Sequence, residues 1–313
     1  MDILKERADV IIPVYKPSEN FLRLLEMLHK QTVQIGKIIV INTERCFFNE
    51  LVCEEELLKK YENLVIRHIS KREFDHGKTR NYGASLSDSP YFVMLTDDAM
   101  PCDEYLVQHL LAPFSDQRIG MAYGRQLPAK DCGILEKYTR GFNYPESSGT
   151  KFAENIKDMG IKAFFASNVC AAYKREIFEM LGGFISRTIF NEDMIYARKL
   201  LDAGYGIAYA ADACVIHSHN YSGIQQFRRN FDLGVSHGEH PEVFGGITTE
   251  SEGIKMVRQT CSYLIREGHP MLIGKLFWQS GCKYAGFCLG KHFRKLPKAL
   301  VRACSMNKDY WKQ

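Results

Sequence analysis

No two of the ten cysteines are spaced as a CxxC pair, and several lie inside apolar runs, as Cys170 does in Asn168-Val-Cys-Ala-Ala172. Metal fingers and disulfide frameworks need closer, more regular spacing, so these thiols read as reduced, in a reducing compartment. A long apolar run is missing too. The longest stretch free of Asp, Glu, Lys and Arg, Ala213 to Phe227, carries two histidines and several polar groups, which argues against a bilayer-spanning segment. The opening residues, Met1-Asp-Ile-Leu-Lys-Glu-Arg-Ala8, are charged throughout and do not resemble a signal peptide. Together these absences lead to the expectation of a cytoplasmic protein. Neither an internal repeat nor a low-complexity linker interrupts the chain.

What is present fits one large α/β domain with a helical appendage: 313 residues, 45% hydrophobic and 25% charged. That composition excludes a disordered chain or a collagen-like fibre. The net charge of +4 is unevenly spread. Pro270 to Gln313 holds nine Lys and Arg against the single acid Asp309, a local +8 that leaves −4 for the rest. The imbalance points to an anionic surface near the C-terminus and away from general nucleic-acid binding.

The first half alternates between two periods. Strand-length apolar runs at Val10–Val14, Lys37–Asn42, Leu64–His68 and Tyr91–Leu95 are separated by helical patterns at Ser18–His29, Glu50–Tyr61 and Thr79–Ser87. Such βαβ units predict a mostly parallel sheet covered on both faces. Ligands of these sheets sit outside the carboxyl ends of the strands. The residues to inspect are therefore Pro13-Val-Tyr15, Asn42-Thr-Glu44, Phe74-Asp-His-Gly77 and Thr96-Asp-Asp98. Further on, Phe164–Tyr173 reads as a buried strand pair or a strand and turn. Arg175–Leu181 and Asn191–Gly204 read as helices, Gly206–Ala210 and Cys214–His217 as strands, and Ser222 onward as helical.

Each candidate motif admits two readings. Asp97 and Asp98 repel one another unless a cation compensates them, which suits a divalent ion bridging to a diphosphate; alternatively, either caps the helix near Asp103. In Asn191-Glu-Asp-Met194 an acid can accept a hydroxyl proton or simply favour the helix N-terminus. The loop Asp75-His-Gly-Lys-Thr-Arg-Asn81 offers cations and a turn glycine to a diphosphate or ribose, or only to solvent. His217 and His219 lie on one face of a strand end, as metal ligands or structural imidazoles. Arg228 and Arg229 suit bidentate phosphate contact or water.

Their order is more telling than any one of them. Ile11-Ile-Pro-Val-Tyr15, Asp75-His-Gly-x-x-Arg80-Asn81, Thr96-Asp-Asp98, Gly182-Gly-Phe184 and Glu192-Asp193 together resemble a family 2 glycosyltransferase of the Rossmann-like GT-A fold. Phe74-Asp-His-Gly77, Asp98-Ala99 and the tail pieces Leu289-Gly-Lys291, Lys295-Leu-Pro-Lys298 and Ser305–Trp311 look like bacterial rhamnosyltransferases. The resemblance covers nearly the whole chain. It implies a GT-A domain over residues 1–240 and a basic, amphipathic helical region over 241–313.

The implied activity is inverting transfer of L-rhamnose from dTDP-β-L-rhamnose to a hydroxyl of a lipid-linked cell-surface polysaccharide precursor. By position, Asp193 matches the base and Glu192 its neighbour. Pro13, Tyr15, Glu44, His76, Gly77, Arg80, Asn81, Asp97, Asp98, Arg228 and Arg229 match the donor side. The family's Asp-x-Asp would place a carboxylate where Ala99 stands. Mg²⁺ or Mn²⁺ would therefore rest on Asp98 with His217 or His219. Two alternatives stay open: a UDP-hexose or UDP-N-acetylhexosamine donor, and a nucleotide-binding scaffold without catalysis. A nucleotidyltransferase would open with a glycine-rich basic loop, whereas this chain has Pro13-Val-Tyr-Lys-Pro17. In the tail, Leu276, Phe277, Trp278, Tyr284, Phe287, Leu289, Phe293 and Leu296 interleave with Lys275, Lys283, Lys291, Arg294, Lys295, Lys298 and Arg302. Such helices suit the inner face of an anionic membrane, as a peripheral protein, or packing on the catalytic domain or on the second copy of a homodimer.

Overall fold

The computed structural model describes residues 7–246 and 250–312, so the charged start, residues 1–6, lies outside the described residues. Nine strands form one sheet in the order β3-β2-β1-β4-β8-β6-β9-β5, with β7 pairing β9. The strands are β1 (Ala8–Tyr15), β2 (Ile35–Thr43), β3 (Leu64–Ile69), β4 (Tyr91–Leu95), β5 (Met100–Pro101), β6 (Ile119–Leu127), β7 (Gly149–Lys151), β8 (Cys170–Lys174) and β9 (Gly206–Ile216). In the first half, helices α1 (Glu19–His29), α2 (Arg45–Leu51), α3 (Glu54–Lys60), α4 (His76–Ser85) and α5 (Leu106–Leu111) connect them. The second half adds α6 (Ile134–Asn143), α7 (Ile156–Met159), α8 (Arg175–Met180) and α9 (Glu192–Asp202).

The sheet is parallel where the alternation is clearest. β3, β2, β1 and β4 all run the same way. β8 then enters antiparallel between β4 and β6, and β6 pairs parallel with β9. The parallel sheet expected from the first half is thus joined to a mixed second half. Gly206–Ile216 is one strand with a register shift, not two separate strands.

Buried Asp9 anchors the start of the sheet. Its carboxylate accepts the hydroxyls of Ser87 and Ser89 at 2.7 and 2.8 Å and the Lys37 N–H at 2.7 Å. Charge-assisted bonds of this kind offset the cost of burying the acid. Apolar side chains from the longer strands then fill a layer on either face, one around Val10, Ile12, Val40 and Leu95, the other around Ile11, Phe92, Tyr173 and Tyr196. Phe21, Leu24, Leu25 and Leu28 recur at helical spacing and seal α1 onto the first layer.

Beyond the sheet stand α10 (Gly223–Glu239), α11 (Pro241–Phe244), α12 (Glu250–Arg266), α13 (Ile273–Lys291) and α14 (Lys298–Cys304). α10 begins with a capping box, in which the Ser222 hydroxyl accepts the Gln225 N–H and the Gln225 side chain accepts the Ser222 N–H. α10 and α13 approach backbone to backbone. A Cβ at Gly286 would stand 2.2 Å from the Phe227 carbonyl oxygen, and one at Gly234 2.2 Å from that of Phe287. Only glycine permits such an approach. The C-terminal segment closes back on α10, where the Met306 and Asn307 N–H groups donate to Asp232 at 3.0 and 2.9 Å. No helix among the described residues is long and apolar enough to cross a membrane. The ten cysteines are free thiols.

Candidate active site

Two strand ends meet first. β4 delivers Thr96-Asp97-Asp98, and β9 delivers His217-Ser-His219. Nε2 of His217 and Nε2 of His219 each lie 3.4 Å from Oδ2 of Asp98, and the two nitrogens are 3.1 Å apart. All three ligand atoms fall within 4.8 Å of one another. One carboxylate and two imidazoles form a donor set that fits a divalent transition-metal ion, since imidazole suits softer ions than an all-oxygen site does. Neither aspartate caps the following helix, which begins at Leu106 after Tyr105.

The two aspartates differ. Burial and then the Asp98 charge push the Asp97 carboxyl up to about 7, against a hydrogen bond from the Tyr15 N–H. Burial also opposes ionisation of Asp98. Its hydrogen bond and charge interaction with His217 outweigh that, helped by His219, and hold it well below the usual carboxylate range.

A second acid pair opens α9. Asp193 Oδ2 accepts the Asn168 N–H at 2.9 Å, and Oδ1 accepts the Met194 N–H at 2.8 Å. Burial and the neighbouring Glu192 charge push Asp193 up to about 7. Glu192 is itself buried, but Arg80, His76 and Asn168 overcome that cost and hold its carboxyl below its ordinary value. Its Oε1 lies 3.2 Å from Arg80 and accepts Asn168 Nδ2 at 3.1 Å, while the Tyr173 hydroxyl donates to Asn168 Oδ1 at 2.6 Å. Asn168 thus touches both acids. It sits between apolar runs with no motif around it, and sequence reasoning passed over it.

The loop before α4 splits into separate jobs. Asp75 caps the helix by accepting the Lys78 N–H at 2.8 Å. Gly77 presses against the Ile185 carbonyl, where a Cβ would stand 1.8 Å from the oxygen. Both ends of the Asn81 amide bind the Phe184 backbone, at 2.8 and 2.9 Å. Gly77 and Asn81 therefore clasp the Gly182-Gly-Phe184 turn, instead of offering free groups to a donor. His76 and Arg80 do line the cleft.

That cleft, ≈ 1480 Å³, runs from the strand ends to α6, α10, α12 and α13. Asp193, His217, His219 and Arg229 face it. The Arg229 guanidinium lies over Phe190 at 4.7 Å and Tyr221 at 5.8 Å. Arg228 does not share that placement. It stands on the side of α10 near Cys304 of α14, so of the two arginines only Arg229 reaches the cleft. Pro13, Tyr15 and Glu44 lie at the β1 and β2 ends. Tyr15 is exposed against Phe47, with ring centroids 5.8 Å apart, and Lys71 stands 5.7 Å from the Tyr15 ring. Glu44 accepts the Lys71 N–H at 2.5 Å from a backbone with φ +65°, a conformation uncommon outside glycine.

Comparison with known proteins identifies the family and the fold. The chain is 38% identical over 309 residues to the O-antigen chain rhamnosyltransferase RfbN of Salmonella typhimurium, covering 97% of this chain and 96% of that one. It is likewise 38% identical to the O-antigen chain rhamnosyltransferase WbaN of Salmonella anatum, covering 96% and 95%. Among solved structures, the mannosyltransferase PcManGT of Pyrobaculum calidifontis, in complex with GDP-Man and Mn²⁺, superposes with a TM-score of 0.56 at 14% identity over 98% of this chain and 85% of that one. S. aureus TarS 1-349 with UDP-GlcNAc gives 0.51 at 12% identity over 92% of each. These two likenesses show the GT-A fold. Residues 9–182 match the model of glycosyl transferase family 2, and with two full-length relatives at that identity the chain belongs to family 2, as a glycosyltransferase.

Proposed function

We propose that the enzyme transfers L-rhamnose, with inversion, from dTDP-β-L-rhamnose to a hydroxyl of a lipid-linked O-antigen-type precursor. The near-full-length similarity to two O-antigen chain rhamnosyltransferases carries this reading. Residues 1–240 form the catalytic unit, and 241–313 the helical region that walls the acceptor side.

Asp98, His217 and His219 would hold Mg²⁺ or Mn²⁺, and such an ion supplies positive charge against the leaving diphosphate. Arg229 adds a bidentate contact to the same anion. Pro13, Tyr15 and Glu44 flank the nucleobase, with Asp97 on the nucleoside side. Asp193 takes the proton of the acceptor hydroxyl on a carboxylate oxygen as that hydroxyl attacks the anomeric carbon. One displacement needs one base and no enzyme nucleophile, so the configuration inverts. Glu192 is fixed by Arg80 and Asn168, which supports Asp193 as the proton acceptor.

A lipid-linked acceptor calls for placement at the inner face of the plasma membrane. Exposed Ile265, Met271, Phe277 and Trp278 beside Arg266 and Lys275 support such a contact with an anionic leaflet. Flotation with anionic liposomes should show binding that weakens with salt. Protein that stays unbound at low salt, or dimerises through these helices, would remove the membrane from the reading. The donor is tested by a thermal-shift panel of nucleotide sugars with and without Mg²⁺ or Mn²⁺. Selective stabilisation by dTDP-rhamnose is expected. Selective stabilisation by a UDP-hexose or UDP-N-acetylhexosamine would replace it, and binding with neither transfer nor hydrolysis would mean a scaffold.

A further inference from the structure

Gln126 stands near the end of β6, behind the histidine pair, and is only 2% exposed. Its neighbours fix its orientation. Oε1 receives a guanidinium N–H of Arg140 and lies 2.9 Å from Nδ1 of His217, while Nε2 donates to the Ser167 hydroxyl at 3.1 Å. Arg140 is held in turn by Glu136 at 2.8 Å. A guanidinium can only donate, so the atom it meets must be the amide oxygen. That oxygen can only accept, so Nδ1 of His217 must carry the proton. Nε2 is then the nitrogen that faces Asp98, giving it a proton in the ion-free geometry, and the one whose lone pair would face a cation there. It lies 3.4 Å from Asp98 Oδ2 and 3.1 Å from His219.

We propose that Gln126 is a positioning residue that locks His217 in the Nδ1–H tautomer, so that the Nε2 lone pair points at the seat formed with Asp98 and His219. The same amide reaches the base. The Ser167 hydroxyl also accepts the Val169 N–H at 3.4 Å, and between these residues Asn168 gives its N–H to Asp193. One side chain therefore sets the spacing between cation seat and proton acceptor. Partners behind a metal-binding histidine orient the ring and keep the correct nitrogen free.

The proposal rests on the reading of Asp98, His217 and His219 as a cation seat, and its test separates the two. Mn²⁺ binding is measured by EPR on the full chain for wild type, Gln126→Leu and Gln126→Glu, with melting temperature as the check on folding. Gln126→Leu should weaken Mn²⁺ binding about 10–100-fold. Gln126→Glu still accepts from Arg140 and His217 and should restore affinity toward wild type. Nitrogen-15 NMR of His217 without metal should show Nδ1 protonated in wild type. Equal Mn²⁺ affinity in wild type and Gln126→Leu, or an Nε2–H tautomer in wild type, overturns the role of Gln126. If wild type binds no Mn²⁺, the cation seat itself falls, and the tautomer measurement still decides for or against Gln126. If Gln126→Leu does not fold, Gln126→Glu and the wild-type tautomer carry the decision.

Discussion

Two pairs of adjacent acids belong to the candidate site, Asp97–Asp98 after β4 and Glu192–Asp193 at the start of α9, and burial acts on both in the same direction. In each pair one member is pushed up to about 7, Asp97 in the first and Asp193 in the second, by burial and then by its neighbour's charge. The other member stays ionised because a hydrogen-bond donor stands beside it. The difference lies in that group. Glu192 faces Arg80, with both side chains under 10% exposed, and a buried guanidinium neither releases its proton nor moves. Asp98 is 44% exposed and faces two imidazoles that can present lone pairs instead of protons. Similar dipeptides thus become an anchored pair with one proton acceptor without an ion partner in one place, and a cation seat in the other. The group across from the acid sets its role.

The largest expected effect breaks the second pair at its reactive member. Asp193→Asn should lower kcat by about 10²–10⁴ with donor affinity nearly unchanged, because the amide keeps the shape and cannot take the proton. Steady-state kinetics decides it, and retention of more than about a tenth of wild-type kcat would move the base elsewhere.

Next comes the anchor. Arg80→Met leaves Glu192 buried without its ion partner and should cost about 3–5 kcal/mol of stability in urea denaturation. Adding Glu192→Gln should recover part of that loss. An unchanged midpoint in the single variant would show that the pair does not act as a unit.

At the first pair, Asp98→Ala removes a ligand outright and should weaken Mn²⁺ binding by more than about 100-fold, beyond the loss expected for a supporting contact behind a ligand. Activity should then stop responding to added Mn²⁺. Full wild-type activity in EDTA would favour leaving-group stabilisation by Arg229 alone.

The smallest effect is a shift in a titration. Asp193 is lifted to about 7, so its proton-accepting form is scarce below that pH and dominant above it, and kcat should rise with pH through this region. Glu192→Gln removes the second contributor to the lift, and the rising limb should move to lower pH. A limb that stays in place would mean that another group controls it.

How far the sequence reaches depends on where each residue's partners lie. β1 to β4 are legible because each is a short apolar run bounded by helical spacing; Tyr15, Glu44 and Thr96 do stand at strand ends, whereas Phe74–Gly77 lies beyond β3 and opens α4. β6 is not: Gly120, Gly124, Arg125 and Gln126 break its apolar run, although the strand is central in the mixed half. β9 looks like two strands because its register slips where Asp212 interrupts it. Glu192 and Asp193 stand out as paired acids at a helix start. Asn168, which holds both, has no local signature. Asn81 reads as a donor-site residue until Phe184, 103 positions away, takes both ends of its amide. Arg228 and Arg229 are equivalent on paper; the rotation of α10 about its own axis separates them.

The bare-backbone contact between α10 and α13 bears on how such enzymes can be recombined. By chain order alone, a chimera that takes its C-terminal helices from a relative would be cut near residue 240, where the chain leaves α10. That cut would set one parent's α13 against another parent's α10, along a line where Gly234 and Gly286 leave no room for a methyl group. The two helices form one inherited block, and the safe crossover lies before Ser222, ahead of the capping box that starts α10.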